Sequence, residues 1–199
     1  STIDNKGNII ISENLNISST NIETNNKRTF SKRFPSFSNL TAVSNDGNYL
    51  IYDVDQKYFN LFNLQTAEET KLPNDNKGVI YPKWSPDSKK ILFQNKDMEL
   101  LVFELGTDNV YKLGKGGAGN WDASSEHIVF HRKEADPVNF VFKSSEIFMV
   151  NYKGTDLRQL TNTSDIYEMT PSFDLSGNIL YQTFDKRQII RAVLDDSKK

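Results

Sequence analysis

Short runs of alternating apolar and polar residues, separated by polar turns, recur along the whole chain. The clearest copy is Tyr81–Gln94, which predicts two strands joined by a tight turn at Ser85–Ser88. Pro86 presets φ for such a turn, and Asp87 can hydrogen-bond to its own backbone. The pattern therefore predicts a β-hairpin.

The same pattern returns along the chain, with its anchor position at residues 3, 43, 84, 121 and 173. Val43–Tyr52 and Trp121–Phe130 match it position for position, Phe173–Tyr181 lacks one residue, and Ile3–Ile11 is a fainter copy. A repeat of about 40 residues made only of strands and turns is typical of a β-propeller. We therefore expect an all-β fold of about five recognisable four-stranded repeats.

The repeats predict a single domain over residues 1–199, with approximate bounds 1–33, 34–74, 75–114, 115–163 and 164–199. The first strand of each repeat should be the innermost. The second repeat shows the plan most fully, and its expected strands are Leu40–Val43, Tyr49–Asp53, Tyr58–Asn63 and Glu69–Leu72.

The first and last repeats fit this plan less well. Asn14–Thr20 reads as a loop, and Asn21–Thr29 has a poor pattern for strands. In the last repeat Ile189–Leu194 is the expected third strand, and a charged tail follows it. Either this blade has three strands, or the chain is part of a larger propeller.

Composition and charge exclude several functional classes. Lys and Arg number 24 and Asp and Glu number 26, giving a net charge of -2, which argues against a nucleic-acid binder because such proteins need a basic stripe. The chain has no Cys, so it has no disulfide, thiolate metal site or cysteine nucleophile. No apolar run approaches the ~18 residues of a membrane helix, so we expect no membrane insertion.

Two segments carry a resemblance to a known family. Trp84–Phe93 and Glu146–Thr161 resemble the repeat of TolB-type β-propellers, which runs roughly W-S-P-D-G-K-x-I-A-F, then I-Y-v-x-d-x-x-G, then x-x-x-L-T. The third and fourth repeats together match the whole motif. The resemblance implies a propeller fold and a protein or peptide partner in the periplasm or cell envelope. Members of this family also include oligogalacturonate lyases and domains beside serine peptidases.

The candidate catalytic residues favour a binding protein over an enzyme. His127 and His131 are the only histidines, and on one strand they lie about 13 Å apart at ~3.3 Å per residue, too far to share a metal ion. Asp53, Asp55 and Asp97 form no calcium-loop motif and are interpreted as solvated loop carboxylates. No G-x-S-x-G elbow is present. We therefore expect no catalytic residue, no metal and no cofactor in this chain.

Several other residues have a structural interpretation. Asp46, Gly47 and Asp87 occupy the same turn position in successive repeats, so they are interpreted as turn residues. Trp84 and Trp121 share one register and are expected to pack between blades. A basic cluster, formed by Lys27, Arg28, Lys32 and Arg33, is either a solvated connection or a contact for an acidic partner.

The fourth repeat departs from the others in one long connection, His131–Ser145, between its second and third strands. Apolar residues in such a connection must be buried against the domain itself or against a partner. Both alternatives stay open, including an extended hairpin that covers the blade's own core. The residues expected to contact a partner are Arg132, Lys133, Glu134, Val138, Phe140 and Phe142.

Overall fold

The computed structural model describes residues 2–13, 16–30, 37–73, 77–107, 109–135, 142–163 and 166–194. Throughout these ranges the regular structure is antiparallel β-strand, and no helix occurs in them. The chain divides into two compact units, one formed by residues 1–96 and 103–110 and the other by residues 97–102 and 111–199. None of the described residues belongs to a helix able to cross a membrane.

Within the described ranges the strands form five sheets, each built from strands that follow one another along the chain. The first sheet contains β1 (Thr2–Ile3), β2 (Asn8–Glu13), β3 (Asn16–Asn21) and β4 (Lys27–Phe30). The second contains β5 (Phe37–Val43), β6 (Tyr49–Val54), β7 (Tyr58–Asn63) and β8 (Glu69–Lys71). The third contains β9 (Ile80–Trp84), β10 (Lys90–Gln94), β11 (Glu99–Glu104) and β12 (Asn109–Lys115).

The fourth sheet contains β13 (Gly117–Trp121), β14 (His127–Ala135), β15 (Phe142–Asn151) and β16 (Arg158–Gln159). The fifth has three strands in the described residues, β17 (Glu168–Phe173), β18 (Ile179–Thr183) and β19 (Gln188–Ala192). The strands predicted for the second repeat are confirmed to within a few residues at their ends. The all-β prediction is confirmed as well.

The anchor positions found in the sequence occupy one register in the structure. In the second to fifth sheets the anchor residue of the first strand lies opposite the first aliphatic residue of the second strand. The four pairs are Val43 with Leu50, Trp84 with Ile91, Trp121 with Ile128, and Phe173 with Ile179. Positions in different sheets can therefore be compared directly.

The prediction for the first repeat was wrong. Asn16–Asn21, expected to be mostly loop, forms the whole of β3, and Lys27–Phe30 forms β4. β3 pairs with β2 over six residue pairs and with β4 over four. Backbone pairing on both edges thus makes a strand from a sequence of low β-propensity, because propensity describes side-chain packing more than backbone preference.

A carboxylate closes the turn between the first and second strands of each sheet. Asp87 Oδ1 accepts hydrogen bonds from the Ser85 hydroxyl and the Lys89 amide, and its Oδ2 accepts one from the buried Lys90 ammonium at 3.0 Å. Burial opposes ionisation of Asp87, but these hydrogen bonds outweigh it, so its pKa lies below the ordinary value. The equivalent carboxylates are Asp4, Asp46, Asp122 and Asp174.

Within the first compact unit these turns also contact one another. The Asn5 amide donates to the Asn45 carbonyl at 3.0 Å, and the Asp46 amide donates to the Ser88 hydroxyl at 3.1 Å. Gly47 lies so close to Asp4 that a Cβ would stand 2.3 Å from the carboxylate, and its φ of +71° also favours glycine. Asp46, Gly47 and Asp87 are therefore turn residues, as the sequence predicted.

Trp84 joins the third sheet to the second. Its side chain is 7% exposed, its ring stacks on Tyr49 at a centroid distance of 6.2 Å, and its indole N–H donates to the Ala42 carbonyl at 3.1 Å. The prediction that Trp84 packs between repeats is confirmed. Trp121 is half-buried, and its packing between repeats stays a prediction.

One register carries buried polar residues in three successive sheets. Asp53 in β6, Gln94 in β10 and His131 in β14 are 0%, 4% and 6% exposed. The interpretation of Asp53 as a solvated carboxylate was therefore wrong, and its Oδ2 accepts a hydrogen bond from the Gln56 amide at 2.8 Å. Burial, with a smaller contribution from the positive charge of Lys133, lowers the pKa of His131 to about 4.

The buried position of Trp84 predicts a large loss of stability on truncation. We expect Trp84→Ala to lower the free energy of unfolding by about 3–5 kcal/mol, because it leaves a cavity between two sheets. Trp121→Ala should cost clearly less, since Trp121 is half-buried. Urea unfolding followed by far-ultraviolet circular dichroism measures both, and equal losses would contradict the packing role assigned to Trp84.

The lowered pKa of His131 predicts a loss of stability in acid. The unfolded chain binds a proton near the ordinary histidine pKa of 6.5, whereas the folded chain resists it until about pH 4, so stability falls as the pH falls through this interval. The difference corresponds to about 3 kcal/mol at most. We expect His131→Gln, which copies Gln94 of the preceding sheet, to remove this component. The measurement is the unfolding midpoint as a function of pH for the unmodified chain and for His131→Gln. If the two midpoints depend on pH in the same way, the loss of stability in acid is not due to His131.

Candidate partner-binding site

The long connection of the fourth repeat is partly strand. β14 and β15 stay paired from His127 with Asn151 as far as Ala135 with Phe142, with a register shift after Glu134. The sequence prediction of a connection over His131–Ser145 was therefore wrong for both ends of this segment, because backbone pairing continues through them. We call Arg132–Ala135 together with Phe142–Ser145 the hairpin extension.

Arg132 is fixed by aromatic rings at the base of this extension. Its guanidinium carbon lies 4.5 Å from the ring centroid of Phe148 and 5.6 Å from that of Phe130. The two rings are stacked on each other at 5.8 Å. The Arg132 Nε–H also donates to the Lys115 carbonyl at 3.0 Å. Cation–π contact and this hydrogen bond orient the side chain.

The remaining predicted site residues fall into two groups. Lys133 and Glu134 follow Arg132 on β14, and both are exposed. Phe142 begins β15, and its side chain is outside the described residues, as are Val138 and Phe140. The structure thus brings three of the predicted residues, Arg132, Lys133 and Glu134, together on one strand.

Buried hydrogen bonds hold the returning strand of the hairpin to the segment that leads into β17. The Ser145 hydroxyl donates to the Glu168 carbonyl at 2.7 Å, and the Ser145 amide donates to the Ile166 carbonyl at 3.2 Å. Ser145 also forms a parallel bridge with Tyr167. The base of the hairpin is consequently a fixed platform.

Two buried glutamates lie beside this platform, and the sequence analysis missed them. Glu146 is 4% exposed and Glu168 is 1% exposed. Thr163 joins them, because its amide donates to Glu146 Oε2 and its hydroxyl donates to Glu168 Oε1, each at 3.1 Å. Burial raises the pKa of Glu168 and the Glu146 charge adds to this, whereas hydrogen bonds from Thr161, Thr163 and Tyr181 oppose it.

The glutamate pair left no signal in the sequence that could have identified it. The two residues belong to different predicted repeats, and in the structure Glu146 lies in β15 and Glu168 at the start of β17. Their hydrogen bonds tie the chain around Thr163 to the hairpin base. Burial, with the Glu168 carboxylate as a second cause, also raises the pKa of the Tyr181 hydroxyl.

The other candidate residues lie in turns or on surfaces that carry both acidic and basic side chains. His127 Nδ1 lies 3.1 Å from Asp122 Oδ2, so its ring is part of the turn before β14. In the described ranges no group of three or more His, Asp or Glu is placed to hold a metal ion. Of the basic cluster, Lys27 and Arg28 lie on β4, at a groove that Asp4 also lines, while Lys32 and Arg33 fall outside the described residues.

Comparison with known proteins agrees with this architecture. No protein-family model matches the chain. A curated tricorn protease homolog of Saccharolobus solfataricus is 27% identical over 120 residues, which is 58% of this chain and 10% of that protein.

Among solved structures, TolB from Acinetobacter baumannii is similar with a TM-score of 0.60 and 15% identity over 96% of this chain. Oligogalacturonate lyase from Vibrio parahaemolyticus has a TM-score of 0.67 and 10% identity, also over 96% of this chain. The chain spans 52% and 63% of these two proteins. At such identities the likeness concerns the fold alone, and the fold of the chain is that of the TolB-like β-propellers.

Proposed function

We propose that residues 1–199 form one β-propeller domain of about five repeats that binds a protein or peptide partner and has no catalytic activity of its own. Its first strands would surround a central axis, and the hairpin extension would stand on the face where those strands begin. The TolB-like fold supports a periplasmic or envelope location and a role as a binding scaffold. No cofactor, metal or nucleic acid takes part.

The observation that carries this proposal is the braced hairpin of the fourth sheet. β14 and β15 have nine and ten residues, against five or six in the second and third strands of the third and fifth sheets. Arg132 is held on Phe130 and Phe148, which orients the strand that presents Lys133 and Glu134 to solvent. A preorganised surface loses less entropy on binding than a mobile loop does.

The predicted partner site comprises Arg132, Lys133, Glu134, Val138, Phe140 and Phe142. Exposed charges of both signs at Lys133 and Glu134 would steer a partner and fix its register. Aromatic residues beyond them would provide the anchor, since Phe and Arg side chains are common at the centres of interfaces. In the alternative, Phe140 and Phe142 cover the sheet's own core. Removal of the segment that carries them would then destabilise the fold, whereas removal of a partner site would not.

A second candidate function is that of a propeller domain within an enzyme. The sequence match to a tricorn protease homolog favours it, as does the structural likeness to an oligogalacturonate lyase. In that case the catalytic residues would lie elsewhere in a larger protein, and the hairpin extension would guide a substrate. The two candidates predict different results for the isolated chain. A binding scaffold retains a macromolecular ligand, whereas a domain of a larger enzyme does not.

Replacement of residues 134–144 by a short Gly-Ser linker tests the proposal. We expect the variant to keep its thermal midpoint within a few degrees and to lose a partner that the unmodified chain retains from an envelope extract of the source cell. The charge reversal Lys133→Glu should weaken the same capture. Lys112→Glu, at an exposed position on β12, serves as the matched control and should not.

Two outcomes would reject the binding role of the hairpin. A collapsed thermal transition in the linker variant would mean that the segment covers the sheet's own core. Unchanged capture by a well-folded variant would mean that the partner binds elsewhere. Turnover of an oligogalacturonide or a peptide by the purified chain would contradict both candidates, because neither places a catalytic residue within residues 1–199.

A further inference from the structure

The returning strand of the hairpin meets the start of β17 at a junction that buries two carboxyl groups. Glu146 is 4% exposed and Glu168 is 1% exposed. Thr163 lies between them, with its amide 3.1 Å from Glu146 Oε2 and its hydroxyl 3.1 Å from Glu168 Oε1. We call Glu146, Thr163 and Glu168 the glutamate junction. One residue thus spans the space between two buried acids.

Paired strands hold both glutamates in place. Glu146 lies opposite Arg132 in the pairing of β14 with β15, and Glu168 lies opposite Thr183 in the pairing of β17 with β18. Moving either side chain to the other face of its sheet would require a slip of the strand register. The two carboxyl groups therefore cannot turn away from each other while the sheets stay intact.

Among the described residues no cation at the glutamate junction balances a second negative charge. Arg132, although opposite Glu146, has its guanidinium on the Phe148 ring and donates its Nε–H to a backbone carbonyl. The groups that contact the Glu168 carboxyl are neutral hydroxyls, including those of Thr163 and Tyr181. Two like charges in such a site repel each other strongly, because burial removes the water that would screen them.

The other described titratable groups near the junction supply no buried positive charge. Lys133 and Lys143 are exposed to solvent. Asp185 is exposed as well, and it adds negative charge where its carboxylate accepts a backbone amide of the β17 lead at 3.1 Å. His131 stays neutral above about pH 4, because burial lowers its pKa to about 4. Asp165 lies outside the described residues.

The folded chain therefore favours a proton on this pair of acids. Burial and the Glu146 charge raise the pKa of Glu168. Ionisation of Glu168 places a second negative charge where the Ser145 hydroxyl donates to the Glu168 carbonyl and the Ser145 amide donates to the Ile166 carbonyl. Repulsion across the junction thus opposes the hydrogen bonds that brace the hairpin.

We propose that the glutamate junction is a pH-sensitive switch, in which a proton on Glu168 keeps the hairpin braced and loss of that proton loosens the contact between Ser145 and β17. The switch regulates the partner site, so this inference rests on the function proposed above. At low pH the hairpin is preorganised for binding, and it loses part of this order as the pH rises. A less ordered surface binds more weakly, because ordering it costs conformational entropy.

Two measurements on the chain alone test the switch. An NMR titration of the glutamate carboxyl carbons should show Glu168 titrating above its ordinary value of 4.5. Glu146→Gln should move this titration downward, since it removes the neighbouring charge. Corrected for the intrinsic exchange rate, hydrogen-exchange protection of the Ser145 amide should fall by up to about tenfold per pH unit between 4.5 and the raised pKa of Glu168.

Variants of the chain assign this pH dependence to one side chain. Glu168→Gln copies the protonated glutamate and cannot ionise, so it should keep Ser145 protected at every pH. Glu23→Gln, a change at an exposed glutamate, is the matched control and should behave as the unmodified chain does. Titration of Glu168 at its ordinary value, or the same loss of protection in Glu168→Gln, would overturn the proposal. If Glu168→Gln does not fold, the titrations of the unmodified chain and of Glu146→Gln decide.

Capture of a partner from the same envelope extract separates the switch from the proposed function. We expect the unmodified chain to capture less partner as the pH rises through this interval, and Glu168→Gln to capture it equally throughout. Equal pH dependence of capture by both chains would overturn the regulation of the partner site. Absence of capture at every pH would reject the proposed function, whereas the exchange measurement would still decide whether the switch exists.

Discussion

The hydrogen-bonded turn between the first and second strands of each sheet is the constraint on which the rest of the structure depends. A carboxylate near the start of the turn accepts hydrogen bonds from backbone amides at its end. Asp174, for example, accepts them from the amides of Ser176 and Asn178. In the first compact unit the same turns contact their neighbours directly, through Asn45, Asp46 and Ser88. The turn therefore fixes both the register within a sheet and the contact with the next sheet.

Fixed register explains why polar residues are tolerated in the core. In the second, third and fourth sheets the third pair after the anchor lies inside, with Asp53, Gln94 or His131 on the second strand. Gln182, at the same position of the fifth sheet, is exposed. Burying an ionisable group without a charged partner favours its neutral form. The pKa of Asp53 is accordingly raised and that of His131 lowered, both mainly by burial. Asp53 therefore reduces the stability of the fold once the pH rises above its raised pKa, whereas His131 reduces it as the pH falls toward 4.

The hairpin extension, for which binding is proposed, is a place where the chain departs from its own repeat. In the fourth sheet the departure is an addition, because β14 and β15 continue beyond the usual length and Arg132 stacks on their aromatic residues. Repetition supplies a stable scaffold, and interruptions of it leave groups available to partners.

Local chemistry in the sequence was enough to predict the repeat, its turns and most strands. The Ser85–Ser88 turn and the anchor residues depend on interactions within about ten residues, so they can be recognised from the order of residues alone. For the same reason Asp46, Gly47 and Asp87 were assigned correctly as turn residues. Trp84 was assigned as a packing residue from its recurrence with Trp121 at one register, although its contacts with Tyr49 and Ala42 are distant in sequence.

Contacts between distant segments were decided only by the tertiary structure. β3 exists because β2 and β4 pair with both its edges, although its own residues have little preference for strand. Glu146 and Glu168 meet through Thr163, and Arg132 meets Phe148 only because the hairpin continues in register. Such contacts depend on the register and packing of whole strands, which no short stretch of sequence specifies. The sequence therefore identified the segment that contains the candidate site, but not the contacts that hold its side chains.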